Sequence, residues 1–358
     1  MKAIYKIIFL LFLIPSVIFG NDDKKHEKSK TIQKEFPIHS DGKVTINNRY
    51  GKISVMTWNE NRVVFEVKIT VKGSDLREVQ KSFSSIDVAF NSSASMVEAT
   101  TIFEKKRSSW SWWGKNSTIN YEIDYIVKMP QSNQVDLTND YGGIYLDKID
   151  GEATINCDYG KITIGRLNNS TNTINLDYCA SSTISFMKEG FVNIDYSKLH
   201  IENAGDIKLK ADYSTSFFGT LNGLDFNTDY GAISIDDVHQ VHGNTEYTTM
   251  TFGTVRENLK IDTEYGSIFI DHLANGFKNV EISAQYAGII IGTSKSNNFS
   301  FDLDLEYGSF RKDQEQVTIS KSIEKTTKKY YEGIFGKGNA QSQIKIKSQY
   351  GSVTFKGN

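Results

Sequence analysis

Proline is nearly absent: three occur in 358 residues, and past the leader described below only Pro37 and Pro130 remain. Proline removes a ladder donor, so long unbroken β-ladders are open to this chain. Cysteine is equally scarce, with Cys157 and Cys179 alone. No HExxH, CxxC, GxSxG, P-loop or Rossmann fingerprint occurs, and the six histidines form no ligand spacing beyond DDVHQVH at 236–242. A concentrated basic face is missing too. Removing Lys2 and Lys6 with the leader takes the formal net charge from −2 to −4, which argues against nucleic acid as a partner. After residue 20 there is no second long apolar run, so no membrane span is expected in the mature chain.

What is present favours strands. Tyrosine (18) and phenylalanine (21) are plentiful, and Asn, Thr, Ile and Ser recur throughout. The first twenty residues read as a cleaved export signal. Lys2 and Lys6 precede an apolar run from Ile7 to Ile18, and Gly20 suits the cut. No cysteine follows it, which disfavours a lipid anchor. The expected location is the periplasm or the cell surface, with no lipoprotein anchor.

One motif recurs: an acid, a tyrosine, usually a glycine, then alternating apolar residues. Its tyrosines are Tyr141, Tyr159, Tyr178, Tyr196, Tyr213, Tyr230, Tyr247, Tyr265, Tyr286 and Tyr307, at intervals of 18, 19, 18, 17, 17, 17, 18, 21 and 21 residues. Tyr50 and Tyr350 are outlying copies. Four residues before each tyrosine stands an apolar side chain, from Leu137 and Ile155 to Leu303, broken only by Gly243. Three and five residues after it the apolar positions resume, as at Ile144 and Leu146, with Ser181 and Thr183 in those places after Tyr178. The parity of the buried positions therefore changes across the tyrosine. A straight strand cannot do this and keep one buried face, so the chain must turn a corner there. Glycine, which accepts positive φ without strain, is the expected residue for the bend.

One such coil cannot bury enough surface to stand alone, so the repeats must stack as in a quasi-one-dimensional protein. The fold class expected is all-β, a single-stack β-solenoid with an N-terminal β-rich capping module. Its parts are a signal peptide at 1–20, a disordered linker at 21–31, a cap at 32–130 with one short helix capped by Ser74, and repeats over 131–358 with an irregular insertion at 311–342. The last motif copy, QIKIKSQYGSVTF, supplies the final coil and C-terminal seal. In this register Cys157 and Cys179 are offset along neighbouring rungs, which is poor disulfide geometry, so both read as buried thiols.

Two columns line the corner. The tyrosines form a ladder, either covering the corner or offering an aromatic stripe to a glycan or partner surface. One residue earlier runs a column of acids: Asp140, Asp158, Asp177, Asp195, Asp212, Asp229, Glu246, Glu264 and Glu306, interrupted by Gln285. Like charges one rung apart, about 4.8 Å, repel by about 0.9 kcal/mol in water. The column must accept backbone N–H bonds, face solvent or share a cation. The nonapeptide calcium pattern is absent, and no metal or cofactor is assigned. The remaining candidate site is the loop KKRSSWSWWGKNS, where Arg107, Trp110, Trp112 and Trp113 make an aromatic-basic patch suited to sugar rings or anionic polysaccharide.

The leader, the KTIQKEF and NRYGKISVMTW blocks, the SWSWWG loop and the serial DYG and EYG coils together resemble the putative-adhesin family of Gram-negative cell-envelope proteins. That likeness spans nearly the whole mature chain. It implies a β-solenoid in the cell envelope; the family is of unknown function and lends no ligand or catalytic residue. The expected function is a non-catalytic, adhesin-like or structural binding module, acting as a monomer on a glycan or envelope protein. The alternatives are a carbohydrate-active β-helix lyase or hydrolase, and a periplasmic scaffold or sensor with a protein partner.

Overall fold

The computed structural model describes residues 26–104, 119–312 and 315–357. The fold is all-β: the described residues hold twenty-two strands and one helix. Two compact units divide the chain, Met1–Ile164 and Gly165–Asn358.

In Gly165–Asn358 each repeat lies parallel on the next, position upon position. Asp177 pairs with Asp195, Asp195 with Asp212, and Asp212 with Asp229. Inward-facing positions stack into apolar columns, for example Ile174, Val192, Leu209 and Phe226, all buried. Gly243, the one gap in that column, is filled from the rung before: a Cβ there would sit 2.1 Å from the Phe226 ring.

The corner is made by the tyrosine, not by the glycine after it. All twelve motif tyrosines have φ between 46° and 63°, while none of the glycines that follow them has a positive φ. A left-handed residue turns two successive side chains, acid and tyrosine, to the same outer side, which is the parity change read from the sequence. The glycine serves a different need. A Cβ at Gly231 would lie 2.1 Å from the Ser214 carbonyl oxygen of the adjacent rung, so the backbones touch there. Corners lacking glycine turn in the same way: Tyr178, Tyr196, Tyr213, Tyr247 and Tyr286 have φ of 49°, 46°, 49°, 48° and 53°. At Ser197, Ser214 and Thr248 a hydroxyl takes the glycine's place. Ser197 Oγ accepts from the Cys179 N–H at 2.9 Å and donates to the Asp195 carbonyl at 2.7 Å. Ser214 Oγ repeats the pattern one rung on, accepting from the Ser197 N–H at 3.0 Å.

At the Tyr178 coil the inward positions are Ser182 and Ile184, not Ser181 and Thr183, and Ser182 pairs with Leu199. Ser181, at φ 53°, absorbs one extra residue after the corner and shifts the register.

The spatial order of the last coils differs from their chain order. Ser342–Gln349 and Ser352–Gly357 pair on one side with Asn279–Thr293. On the other side they pair with Phe299–Glu306 and Ser309–Arg311. The C-terminal coil is thus inserted between the Tyr286 and Tyr307 coils and is not the final seal. The arrangement alternates charge across the strands: Lys345 lies opposite Glu281 on one neighbour and Asp302 on the other, and Lys347 opposite Asp304. Direct stacking of the two neighbours would instead set Glu281 against Asp302, a destabilising like-charge pair. The outer edge of Phe299–Glu306 is covered by Lys328–Phe335, which pairs antiparallel with Val317–Glu324. Tyr331, within the irregular insertion, belongs to this antiparallel hairpin.

In Met1–Ile164, the Tyr50 coil is a true rung. Lys43–Arg49 pairs in parallel with Gln134–Asp140, and Ile53–Trp58 with Gly143–Ile149. Its other side is paired with Met96–Phe103 and Ile119–Pro130, also parallel. Arg62–Gly73 and His26–Pro37 then add antiparallel strands. His26–Thr31, expected to be disordered, is paired along its length with Lys68–Gly73. The helix is Leu76–Ser84, and its N-cap is Asp75, not Ser74. The Asp75 carboxylate accepts from the N–H groups of Arg77 and Glu78 at 2.8 and 3.3 Å.

Candidate functional site

Within Gly165–Asn358 the tyrosines stack in the order Tyr178, Tyr196, Tyr213, Tyr230, Tyr247, Tyr265, Tyr286, Tyr350 and Tyr307. Successive centroids are 4.6–4.9 Å apart and the planes lie within 5° of parallel. Eight steps at the rung spacing make a ribbon about 38 Å long. The backbone fixes it: Tyr178, Tyr196, Tyr213 and Tyr350 donate their N–H groups to the carbonyls of Asp195, Asp212, Asp229 and Glu306 on the next rung at 2.8–3.1 Å, and Tyr307, at the end of the ladder, donates to Thr327 at 2.7 Å. The rings stand outside the core. Every motif tyrosine from Tyr141 onward is 40–55% exposed. Because neighbours cover the ring faces, the ribbon presents ring edges and a row of phenol hydroxyls. Loss of solvent, then the neighbouring phenols, raises the pKa of Tyr196 and Tyr247 above the ordinary value.

The acids run beside this ribbon in register. Burial, then the charge of Asp212, raises the Asp195 pKa, with Lys210 acting the other way. Some partners relieve the column: Lys210 lies 3.9 Å from Asp212 and Lys328 3.6 Å from Glu306. In Met1–Ile164, Arg49 stands in the acidic position of its own rung and pairs with Asp140 at 3.0 Å. Among the described residues no group of three or more His, Cys, Asp or Glu could hold a metal ion. His239 and His242 of DDVHQVH face separate carboxylates, Glu257 at 3.7 Å and Asp225 at 3.3 Å. Cys157 and Cys179 are both buried, and the Cys157 thiol donates to the Gly142 carbonyl at 3.4 Å.

The ladder of Met1–Ile164 is different at its start. Tyr141 and Tyr159 stack at 5.0 Å and 8°. Tyr50 lies 5.4 Å and 14° from Tyr141, and on its other side 5.6 Å and 34° from Tyr121. The rung beyond Tyr50 has no Tyr-Gly corner. Continuing its register, Thr100 opposite Asn47 and Tyr125 opposite Ile53, sets Phe103 level with Tyr50. Between Phe103 and Ile119 the chain connects the two strands of that rung. Arg107, Trp110, Trp112 and Trp113 fall there, outside the described residues. Their place between two strands of one rung follows from strand pairing and not from composition.

No protein-family model matches the chain, and no curated protein does. Solved structures do. A putative cell adhesion protein from Clostridium sporogenes shares 12% identity, covering 92% of this chain and 100% of its own, with a TM-score of 0.18. A putative adhesin from Parabacteroides merdae shares 9% identity over 72% of this chain and 95% of its own, at 0.33. One from Parabacteroides distasonis shares 9% over 73% and 92%, at 0.31. No helix among the described residues is long and apolar enough to cross a membrane.

Proposed function

We propose that this chain is an exported, non-catalytic β-solenoid that binds an extended partner along its corner, in the manner of an adhesin. The observation that carries this is the ribbon of nine half-exposed tyrosines in register with a column of carboxylates. Its repeat of 4.6–4.9 Å extends over eight steps, far beyond the span of a small molecule. A periodic comb of hydroxyls and carboxylates suits a polymer or a protein surface with its own repeat. The antiparallel strands of the N-terminal module act as a cap, since an unpaired end strand invites edge-to-edge association. The loop carrying Arg107, Trp110, Trp112 and Trp113 is a second contact.

The test is capture from solubilised envelope and from a glycan array. Wild type is compared with a variant bearing Tyr213→Ser, Tyr230→Ser and Tyr247→Ser, and with one bearing Trp110→Ala, Trp112→Ala and Trp113→Ala. The reading expects the ladder variant to lose capture. Equal capture by wild type and both variants would remove the corner and the loop together as binding surfaces.

A further inference from the structure

One aromatic surface of the molecule differs in geometry from the ribbon. Along the regular ladder, each interior ring is sandwiched between parallel neighbours, so a sugar has no aromatic face to lie against there. At Tyr50 the sandwich opens. Tyr121 is inclined by 34° to Tyr50, with Phe103 edge-on to both rings at 6.0 and 5.8 Å. Beside this break is a groove of about 390 Å³, lined by Tyr50, Tyr121 and Tyr141 together with Lys52, Lys72, Glu122 and Asp124. That is within the size range of small-ligand sites.

The lining chemistry identifies the occupant. Aromatic side chains offer an apolar wall to the C–H faces of a pyranose. The charged groups are balanced, two lysines against two carboxylates, and Lys72 is engaged with Glu27 at 3.3 Å. One Asp124 oxygen accepts the Lys52 backbone N–H at 2.9 Å, which fixes that carboxylate at the groove wall. A lining without net charge but rich in donors and acceptors matches a neutral, hydroxyl-bearing ring and not a uronate or a sulfated sugar. The backbone is open at Gly143, which brings no side chain to the groove wall and where a Cβ would meet nothing closer than the Lys161 carbonyl oxygen at 3.4 Å.

We infer that this groove is a binding site for a neutral saccharide, taking one or two pyranose rings beside the rung that lacks a Tyr-Gly corner. The inference deepens the proposed binding function by naming a ligand class for a separate site. It does not need the ribbon to bind sugar.

The test is calorimetric and NMR titration of the full mature chain with cellopentaose, mannopentaose and maltopentaose, against trigalacturonate, at low and high salt. The expected result is saturable binding of at least one neutral oligosaccharide, little changed by salt. Glu122→Gln, which leaves the aromatic wall in place, should weaken it several-fold, and Tyr121→Ala at least tenfold, with melting curves confirming that both variants fold. Tyr230→Ser, in the regular ladder, should bind as wild type does. The inference is overturned if no neutral oligosaccharide binds at millimolar concentration, if trigalacturonate alone binds with steep salt dependence, or if Glu122→Gln and a folded Tyr121→Ala both bind unchanged. Envelope capture lost in the ladder variant but kept in Glu122→Gln would uphold the ribbon reading whatever becomes of this groove.

Discussion

Replacing Tyr230 separates two opposing contributions that the corner combines. Its ring stacks on Tyr213 at 4.9 Å and on Tyr247 at 4.6 Å, both nearly parallel. At about 0.5–1.5 kcal/mol per aromatic pair, losing both costs about 1–3 kcal/mol. The backbone at Tyr230 has φ 53°, which costs a residue bearing a Cβ about 1–2 kcal/mol. Alanine keeps that cost and loses the stacking; glycine loses the stacking and is relieved of the strain. Tyr230→Gly should therefore be more stable than Tyr230→Ala by about 1 kcal/mol, the reverse of the usual order in a strand, where glycine is worse by about 0.5–1 kcal/mol. Asn227, three residues earlier on the same strand, has no positive φ and should show the usual order. The assay is urea unfolding of both pairs of variants. If alanine proves more stable than glycine at position 230, as at 227, the tyrosine does not make the turn.

Three further outcomes follow from the same geometry. Gly142→Ala should destabilise by about 1–3 kcal/mol because its Cβ meets the Gly51 carbonyl oxygen, while Gly288→Ala, with nothing within 4 Å, should be nearly neutral in the same melts. Asp195 binds its proton more tightly when folded, so between the ordinary carboxylate value of about 4 and its raised value the folded chain holds more protons and stability falls as pH rises. Asp195→Asn should remove that fall and be more stable than wild type at neutral pH by about 0.2–1 kcal/mol, the difference fading in acid; a less stable variant at neutral pH would contradict this. Reversing Lys345 and Lys347 to glutamate sets like charges against Glu281, Asp302 and Asp304, so hydrogen exchange over 342–357 should accelerate, most at low salt; unchanged protection would refute the charge-based insertion.

The fold was legible wherever it depends on period. The even-to-odd change across each tyrosine places a corner there, and pairings such as Leu209 with Phe226 confirm the columns. What escaped the sequence depends on space or on backbone conformation. Glycine is the usual left-handed residue, so the bend is naturally assigned to it. In fact tyrosine bears the strain, supported by stacking, and glycine is there for backbone contact. The slip at Ser181 was hidden because Ser181, Ser182 and Thr183 are all small and polar. The insertion of the C-terminal coil was hidden because spacing along the chain does not report order in space. Its lysines beside Glu281 and Asp302 are a signal, but one readable only once the strands are paired. At the candidate groove, neither Tyr121 nor Glu122 stood out, since both lie in an ordinary alternating strand; the missing corner becomes visible only against the Tyr50 rung.

The most direct test of one coil per rung uses cysteine pairs in the outward column three residues before the tyrosines, with Cys157 and Cys179 replaced by serine. Asn193 lies opposite Lys210, and Lys210 opposite Asn227. The pair Asn193→Cys with Lys210→Cys spans one rung, within disulfide reach, whereas Asn193→Cys with Asn227→Cys spans two, about 9.6 Å, and is beyond it. The account predicts rapid, near-complete oxidation of the first pair and none of the second. Failure of the first pair, or equal oxidation of both, would contradict it.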